Sequence, residues 1–189
     1  SDLPVEAQLP VLSALTLALF SWNGFRSPLI QVLPDTAQGL FGLIYIAYPL
    51  TLIPLIWKKE DGVALVIFLM VCVWAGDIAA LYVGRAFGKH KLAPRLSPGK
   101  TWEGSAASIV GSVLAATLVI YIGDVLTSRG NLILHTSQPM WQSVILAAVL
   151  NIAAQLGDLL ESAIKRGAGV KDSGTMLPGH GEILDRIDA

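Results

Sequence analysis

Apolar positions along this chain gather into five long runs separated by short polar segments. Ala7 to Phe25, Thr36 to Trp57, Gly104 to Gly123 and Pro139 to Gly157 carry no charged residue, and Val63 to Val83 carries one, Asp77. Each run holds 19 to 22 residues, and a helix needs roughly 20 to cross a bilayer. The runs are continuous rather than alternating, which argues for helices and against barrel strands. The pattern predicts an all-α integral membrane protein, a polytopic helical bundle of about five transmembrane helices with its polar residues in the connecting loops. The first run is the weakest, because Pro10 and Asn23 shorten its apolar part. A secretory signal fits it poorly, since Asp2 and Glu6 stand where Lys or Arg belongs. The whole reads as a single membrane domain, with spans alone over residues 1–62 and the candidate chemistry over 63–189.

Composition agrees with the pattern. Apolar residues make up 53% of the 189 positions and charged residues 14%, against about 25% charged in ordinary soluble domains. Mean hydropathy is +0.62. The net charge of −1, from 13 basic and 14 acidic residues, gives no field to hold a polyanion, so no nucleic-acid partner is expected. The single cysteine, Cys72, lies in an apolar run and reads as a packing residue.

Charge distribution adds an orientation. With five spans, one side collects Arg26, Arg85, Lys89, Lys91, Arg95, Lys100, Lys165, Arg166, Lys171 and Arg186, and the other only Lys58, Lys59 and Arg129. Ten against three places the first side in the cytoplasm. Phosphate binding would collect cations there as well. In the fourth run, Gly104, Ser105, Ala106, Ala107, Ser108, Gly111, Ser112, Ala115 and Ala116 form a small-residue stripe that reads as close helix packing.

Candidate chemistry falls on that basic side. Residues 84–102 hold five Lys or Arg and no acid, with three glycines and two prolines that make a persistent helix unfavourable. Gly99-Lys100-Thr101 superficially resembles the end of a phosphate-binding P-loop, but Pro94 stands where its first glycine belongs. A glycine-rich basic loop still suits phosphates; an anchor on anionic lipid is the plainer reading. Asp77 lies inside a span, where an ionisable group is costly and marks a functional candidate. Asp158, Glu161 and Ser162 stand at i, i+3 and i+4, with Lys165 one turn on. Carboxylates where a helix leaves the membrane suit a hard cation with oxygen ligands. From Glu161 onward the tail carries five acids and four bases. That mixture suits metal and phosphate together better than a lipid-binding polybasic tail. His180 alone reads as structural, and no zinc spacing or nucleophile elbow is present.

From Ser162 to Asp188 the chain resembles the CDP-diacylglycerol synthase (phosphatidate cytidylyltransferase) family. The signature is Ser162-x-apolar-Lys165-Arg166, then Lys171-Asp172-x-Gly174, then Leu177-Pro178-x-His180-Gly181 and Asp185-Arg186-apolar-Asp188. One position departs: Glu182 stands where a second glycine is expected. Trp74 to Gly104, with Asp77, Gly88-Lys89-His90-Lys91-Leu92-Ala93-Pro94 and Ser97-Pro98-Gly99-Lys100-Thr101-Trp102, also looks like the family, as does Leu156-Gly157-Asp158-Leu159. The resemblance covers residues 70–189.

What the resemblance implies is transfer of a cytidylyl group from CTP to phosphatidic acid, giving CDP-diacylglycerol and pyrophosphate for phospholipid synthesis. It implies a multi-pass protein of the inner (cytoplasmic) membrane with its active site on the cytoplasmic face. Mg2+, as one or two ions with a monovalent cation as an alternative partner, would be held by Asp158, Asp185 and Asp188, with Glu161 and Asp77 as further ligands. Lys100, Lys165, Arg166 and Lys171 would hold phosphates, and His180 would donate to a phosphate oxygen or orient a carboxylate. Lys89, Ser97, Ser162 and Arg186 complete the expected substrate contacts. The bilayer is an expected partner, and a homodimer is a further expectation. Glu182 and the chain's end at Ala189 raise an impaired or truncated member as an alternative. The others are a related CTP-dependent lipid cytidylyltransferase and, from another class, an ion-coupled transporter with Asp77 and Asp158 on an ion path.

Overall fold

The computed structural model describes residues 5–167 and residue 169. In order, the elements are α1 (Val5–Arg26), α2 (Leu29–Gly42), a π-helical turn (Leu43–Ala47), α3 (Tyr48–Trp57), α4 (Gly62–Phe87), β1 (Lys91–Ala93), β2 (Ser97–Thr101), α5 (Trp102–Ser128) and α6 (Met140–Gly167). Four helical stretches are long and apolar enough to cross a membrane: Leu29–Trp57, Gly62–Phe87, Trp102–Ser128 and Met140–Gly167. The chain is a multi-pass helical membrane protein. The first expected span forms α1, but Ser13, Thr16, Ser21 and Asn23 dilute its apolar run, and it is not one of the four.

Two compact units divide the chain, Ser1–Lys58 and Lys59–Ala189. In the first, Asn23 Nδ2 donates to Thr36 Oγ1 at 3.1 Å and Ser27 Oγ to Asp35 Oδ2 at 2.5 Å, tying α1 to α2. The second expected span begins earlier than its uncharged run, at Leu29 rather than Thr36, and so takes in Asp35, whose carboxylate accepts from the Ser27 hydroxyl. The π-helical turn precedes Pro49. Proline lacks an N–H and its ring crowds the carbonyl four residues back, and a wider turn relieves that conflict.

The second unit is a three-helix bundle of α4, α5 and α6. A β-carbon on Gly111 would meet Ala79 Cβ at 2.6 Å and one on Gly104 would meet Ala80 O at 3.0 Å, so α5 runs antiparallel to α4 at close range. The stripe Gly104, Ser108, Ser112, Ala116 and Ile120 is buried, whereas Val110, Leu114, Leu118 and Tyr121 of the same helix are 57–65% exposed. Small residues inward and large apolar ones outward are the arrangement a lipid solvent favours. Phe68, Cys72, Ala116, Ile120 and Ala147 form the apolar core.

The basic segment between α4 and α5 is not a bare loop, as a purely α reading expects, but an antiparallel hairpin. Lys91 pairs with Thr101 and Ala93 with Ser97, with a bulge between the two pairs. Its turn closes through Leu96 N donating to Ala93 O at 3.1 Å, and Pro94 takes the second position, where its fixed φ suits a turn. Trp102 N donates to His90 O at 2.9 Å. Thr101 caps α5, its Oγ1 accepting from Gly104 N at 3.2 Å. The hairpin thus sits where α4 ends, α5 begins and α6 ends.

Candidate active site

That end of the bundle holds a polar cavity of ≈ 500 Å³. From α4 it takes Asp77, Gly84 and Arg85; from the hairpin Ser97, Lys100 and Thr101; from α5 Ser105 and Ser108; and from α6 Gln155 and Asp158. A second cavity of ≈ 370 Å³ lies toward the opposite end, between Phe68, Ile120, Trp141 and Leu146, and no charged residue lines it. Of these two cavities only the first is lined by charged residues, so the candidate site is assigned there.

Its central feature is an ion pair. Lys100 Nζ donates to Asp158 Oδ2 at 2.5 Å across 58 residues of sequence, with the two side chains 28% and 27% exposed. One partner rides on the hairpin and the other on α6, so the pair closes the hairpin onto the bundle. Beside it, the Ser105 hydroxyl donates to Gln155 Oε1. At the rim, His90 Nδ1 and Glu103 Oε1 are 2.6 Å apart and the His90 backbone N–H also donates to the Glu103 carboxylate, fastening the start of the hairpin to the first turn of α5.

The structure brings together Asp77, Ser97, Lys100 and Asp158 from the sequence candidates. It places others elsewhere. Glu161 is buried and ion-paired with Lys165 Nζ at 2.6 Å, one turn beyond Asp158 and outside the cavity lining. Both Glu161 and its partner Lys165 stay on the face of α6 that carries Asp158, at i+3 and i+7. Lys89 is exposed beside the hairpin, Ser162 is half-buried, and Arg166 is exposed in the last turn of α6. Lys171, His180, Asp185, Arg186 and Asp188, and the departing Glu182, lie outside the described residues. Residues the sequence did not single out for the site are Arg85, Ser105 and Gln155. Gln155 had a signal, since it lies one turn before Asp158 on the same face of α6.

Among the described residues, no group of three or more His, Cys, Asp and Glu side chains is arranged to hold a metal ion. The cavity nevertheless offers Asp77 and Asp158 carboxylates with hydroxyl and amide oxygens from Ser97, Ser105 and Gln155. An all-oxygen set of this kind suits Mg2+ in chemistry.

A family model described as the cytidylyltransferase family matches residues 5–189. A phosphatidate cytidylyltransferase of Brucella suis biovar 1 is 42% identical over 156 residues, covering 80% of this chain and 51% of that protein. One of Mycobacterium leprae is 35% identical over 165 residues, covering 85% and 48%. One of Staphylococcus saprophyticus is 34% identical over 184 residues, covering 97% and 65%. The chain spans about half the length of the first two of these curated relatives and 65% of the third.

Proposed function

The chain belongs to the cytidylyltransferase family, and from that premise we propose that it transfers a cytidylyl group from CTP to phosphatidic acid, releasing pyrophosphate and forming CDP-diacylglycerol. The observation that carries this reading is the Lys100–Asp158 pair in a polar cavity at one end of an apolar three-helix bundle. A lipid phosphate and a nucleotide meet where membrane gives way to water, and a cavity between a polar hairpin and long apolar helices supports such a setting.

The reacting groups are polyanions. A phosphatidate oxygen attacks the α-phosphorus of CTP, a new P–O bond forms, and the bond to the departing pyrophosphate breaks. The attacking oxygen is already anionic, so no strong base is required. The barrier is to bring like charges together in line. Lys100 and Arg85 line the cavity as cations and neutralise phosphate oxygens there; Ser97 and Ser105 orient them. Mg2+, when bound, supplies further charge neutralisation as a Lewis acid. Asp158 and Asp77 would hold it, with Asp185 and Asp188 as further ligands. Lys165, Arg166, Lys171, His180 and Arg186 complete the phosphate contacts of the proposal.

The ten-to-three division of Lys and Arg supports a cytoplasmic site in a cell's inner membrane. Against the transporter reading stand the unbroken courses of α4, α5 and α6, since ion-coupled carriers build their sites from interrupted helices.

Radiolabelled CTP, phosphatidic acid and Mg2+ are the test, with Asp158→Asn beside the parent. Labelled CDP-diacylglycerol from the parent and its loss in folded Asp158→Asn are expected. Full turnover in Asp158→Asn would overturn the assignment of the site, and a parent that binds no CTP would overturn the activity.

A further inference from the structure

The hydrogen bonds of the site continue down into the bundle, beyond anything that would touch a substrate. Asn151 lies two turns before Asp158 on α6, is 1% exposed, and is not among the residues that line the cavity. Its Nδ2 donates to Ser108 Oγ at 2.9 Å and to Ser112 Oγ at 2.7 Å. Its Oδ1 accepts from Gln155 Nε2 at 2.6 Å. Gln155 Nε2 also donates to the Ser105 carbonyl at 3.3 Å, and Gln155 Oε1 accepts from the Ser105 hydroxyl. At the lower end, Ser112 Oγ donates to the Cys72 carbonyl of α4 at 2.6 Å. Positions 151, 155 and 158 are spaced i, i+4 and i+7, one face of a helix.

On its inner face α6 places Ala147 in the apolar core, while its outward face, with Leu146, Val149 and Ile152 exposed, is as apolar as its surroundings. Hydrogen bonds are directional. A slip of one residue turns a helix by roughly 100° and would swing Asp158 off Lys100. The geometry points to Asn151 and Gln155 as positioning residues that set the rotation of α6 and so hold the Asp158 carboxylate toward Lys100 and the cavity. The catalytic meaning rests on the proposed function; the positional claim does not.

Two readouts separate them, both on the intact protein in lipid nanodiscs. The first is the acylation rate of Lys100 by an amine-reactive ester, followed by mass spectrometry without metal or nucleotide. Asn151→Ala and, separately, Gln155→Ala should raise that rate toward the value in Asp158→Asn, because an amine freed from a carboxylate reacts faster. The second is Mn2+ binding in the presence of CTP, read by electron paramagnetic resonance. Loss of a group that orients a metal ligand costs about 10–100-fold in affinity, and Asn151→Ala should weaken Mn2+ by that factor. In an Asp158→Asn background the same substitution should add nothing, because both act through one carboxylate. A merely structural role would lower thermal stability, leave the Lys100 rate alone and add independently to Asp158→Asn. If Asn151→Ala fails to fold, Gln155→Ala carries the Lys100 readout, which a direct contact of Gln155 with metal would not move. Unchanged Lys100 rates in the folded variants would overturn the proposal. Shifted Lys100 rates in a parent that binds no Mn2+ with CTP would uphold the positioning and overturn the nucleotide reading.

Discussion

A β-carbon on Gly76 would stand 2.2 Å from Asn151 Nδ2 and 2.6 Å from Ser112 Oγ. Only a bare backbone on α4 leaves the amide of α6 room to reach the hydroxyls of α5. Gly76→Ala therefore forces the amide aside or the helices apart. Overpacking of this kind costs about 1–3 kcal/mol. Thermal unfolding in detergent should fall by roughly 2–4 °C for each kcal/mol. Gly24→Ala is the control: nothing lies within 4 Å of its β-carbon position, and inside a helix alanine is the better residue, so no loss is expected.

The Lys100–Asp158 pair should show as a coupling rather than as two separate losses. Both side chains keep more than a quarter of their surface exposed, so the pair is partly screened and its contribution reaches at most the upper end for exposed pairs, about 1 kcal/mol. A double-mutant cycle with Lys100→Gln and Asp158→Asn, read by unfolding, should return a coupling of that size. A coupling of zero would mean that the hairpin does not close on α6 in the membrane.

The lone cysteine, being buried, leaves an unlabelled background for a test of topology. Cys72 is fully buried, so a membrane-impermeant maleimide should leave the parent unlabelled in sealed vesicles. Lys89→Cys, beside the hairpin, and Arg129→Cys, after α5, should label from opposite sides. Labelling of Lys89→Cys from the cytoplasmic side would support the proposed orientation; labelling of both from one side would contradict the crossing of the membrane by α5.

Metal removal should silence turnover. EDTA is expected to abolish formation of labelled CDP-diacylglycerol, and added Mg2+ to restore it, because without the metal the carboxylates of Asp77 and Asp158 add to the negative charge that Lys100 and Arg85 must offset. The same treatment should leave the melting temperature nearly unchanged, since the described bundle is held by helix packing and hydrogen bonds. Turnover that persists in EDTA would remove Asp77 and Asp158 as metal ligands.

Much of the fold was legible because membrane spans are long and continuous. The runs Val63 to Val83 and Gly104 to Gly123 fall inside α4 and α5, and Pro139 to Gly157 falls inside α6 but for Pro139 itself. The glycines and prolines of the basic segment correctly broke the helix there. They hid the hairpin, though, since strands of three and five residues containing Pro98 and Gly99 carry no alternation to read. Asp77, Lys100 and Asp158 could be placed at one end by counting spans. That Lys100 reaches Asp158 could not, because choice among several acids for one lysine is settled by side-chain geometry. Glu161 shows the same limit: its spacing put it on one face with Asp158 and Lys165, and that it is buried against Lys165 rather than lining the cavity is settled by side-chain geometry. The small-residue stripe of α5 was read as packing alone. It also supplies the serine hydroxyls to which Asn151 is bound, and nothing local in α5 announces a partner some 40 residues away.

The polar rail between α5 and α6 has a consequence for how the protein is made. Chains are synthesised from the N-terminus, so α4 and α5 reach the bilayer first. Their contact at Gly111 and Ala79 is van der Waals packing and needs nothing from α6. Then α6 arrives with the amides of Asn151 and Gln155, for which lipid offers no partner. Ser105, Ser108 and Ser112 are already waiting in a row. Docking of α6 is therefore a search for acceptors in an apolar solvent, and a fault at Asn151 would be felt at assembly, after every helix has been inserted.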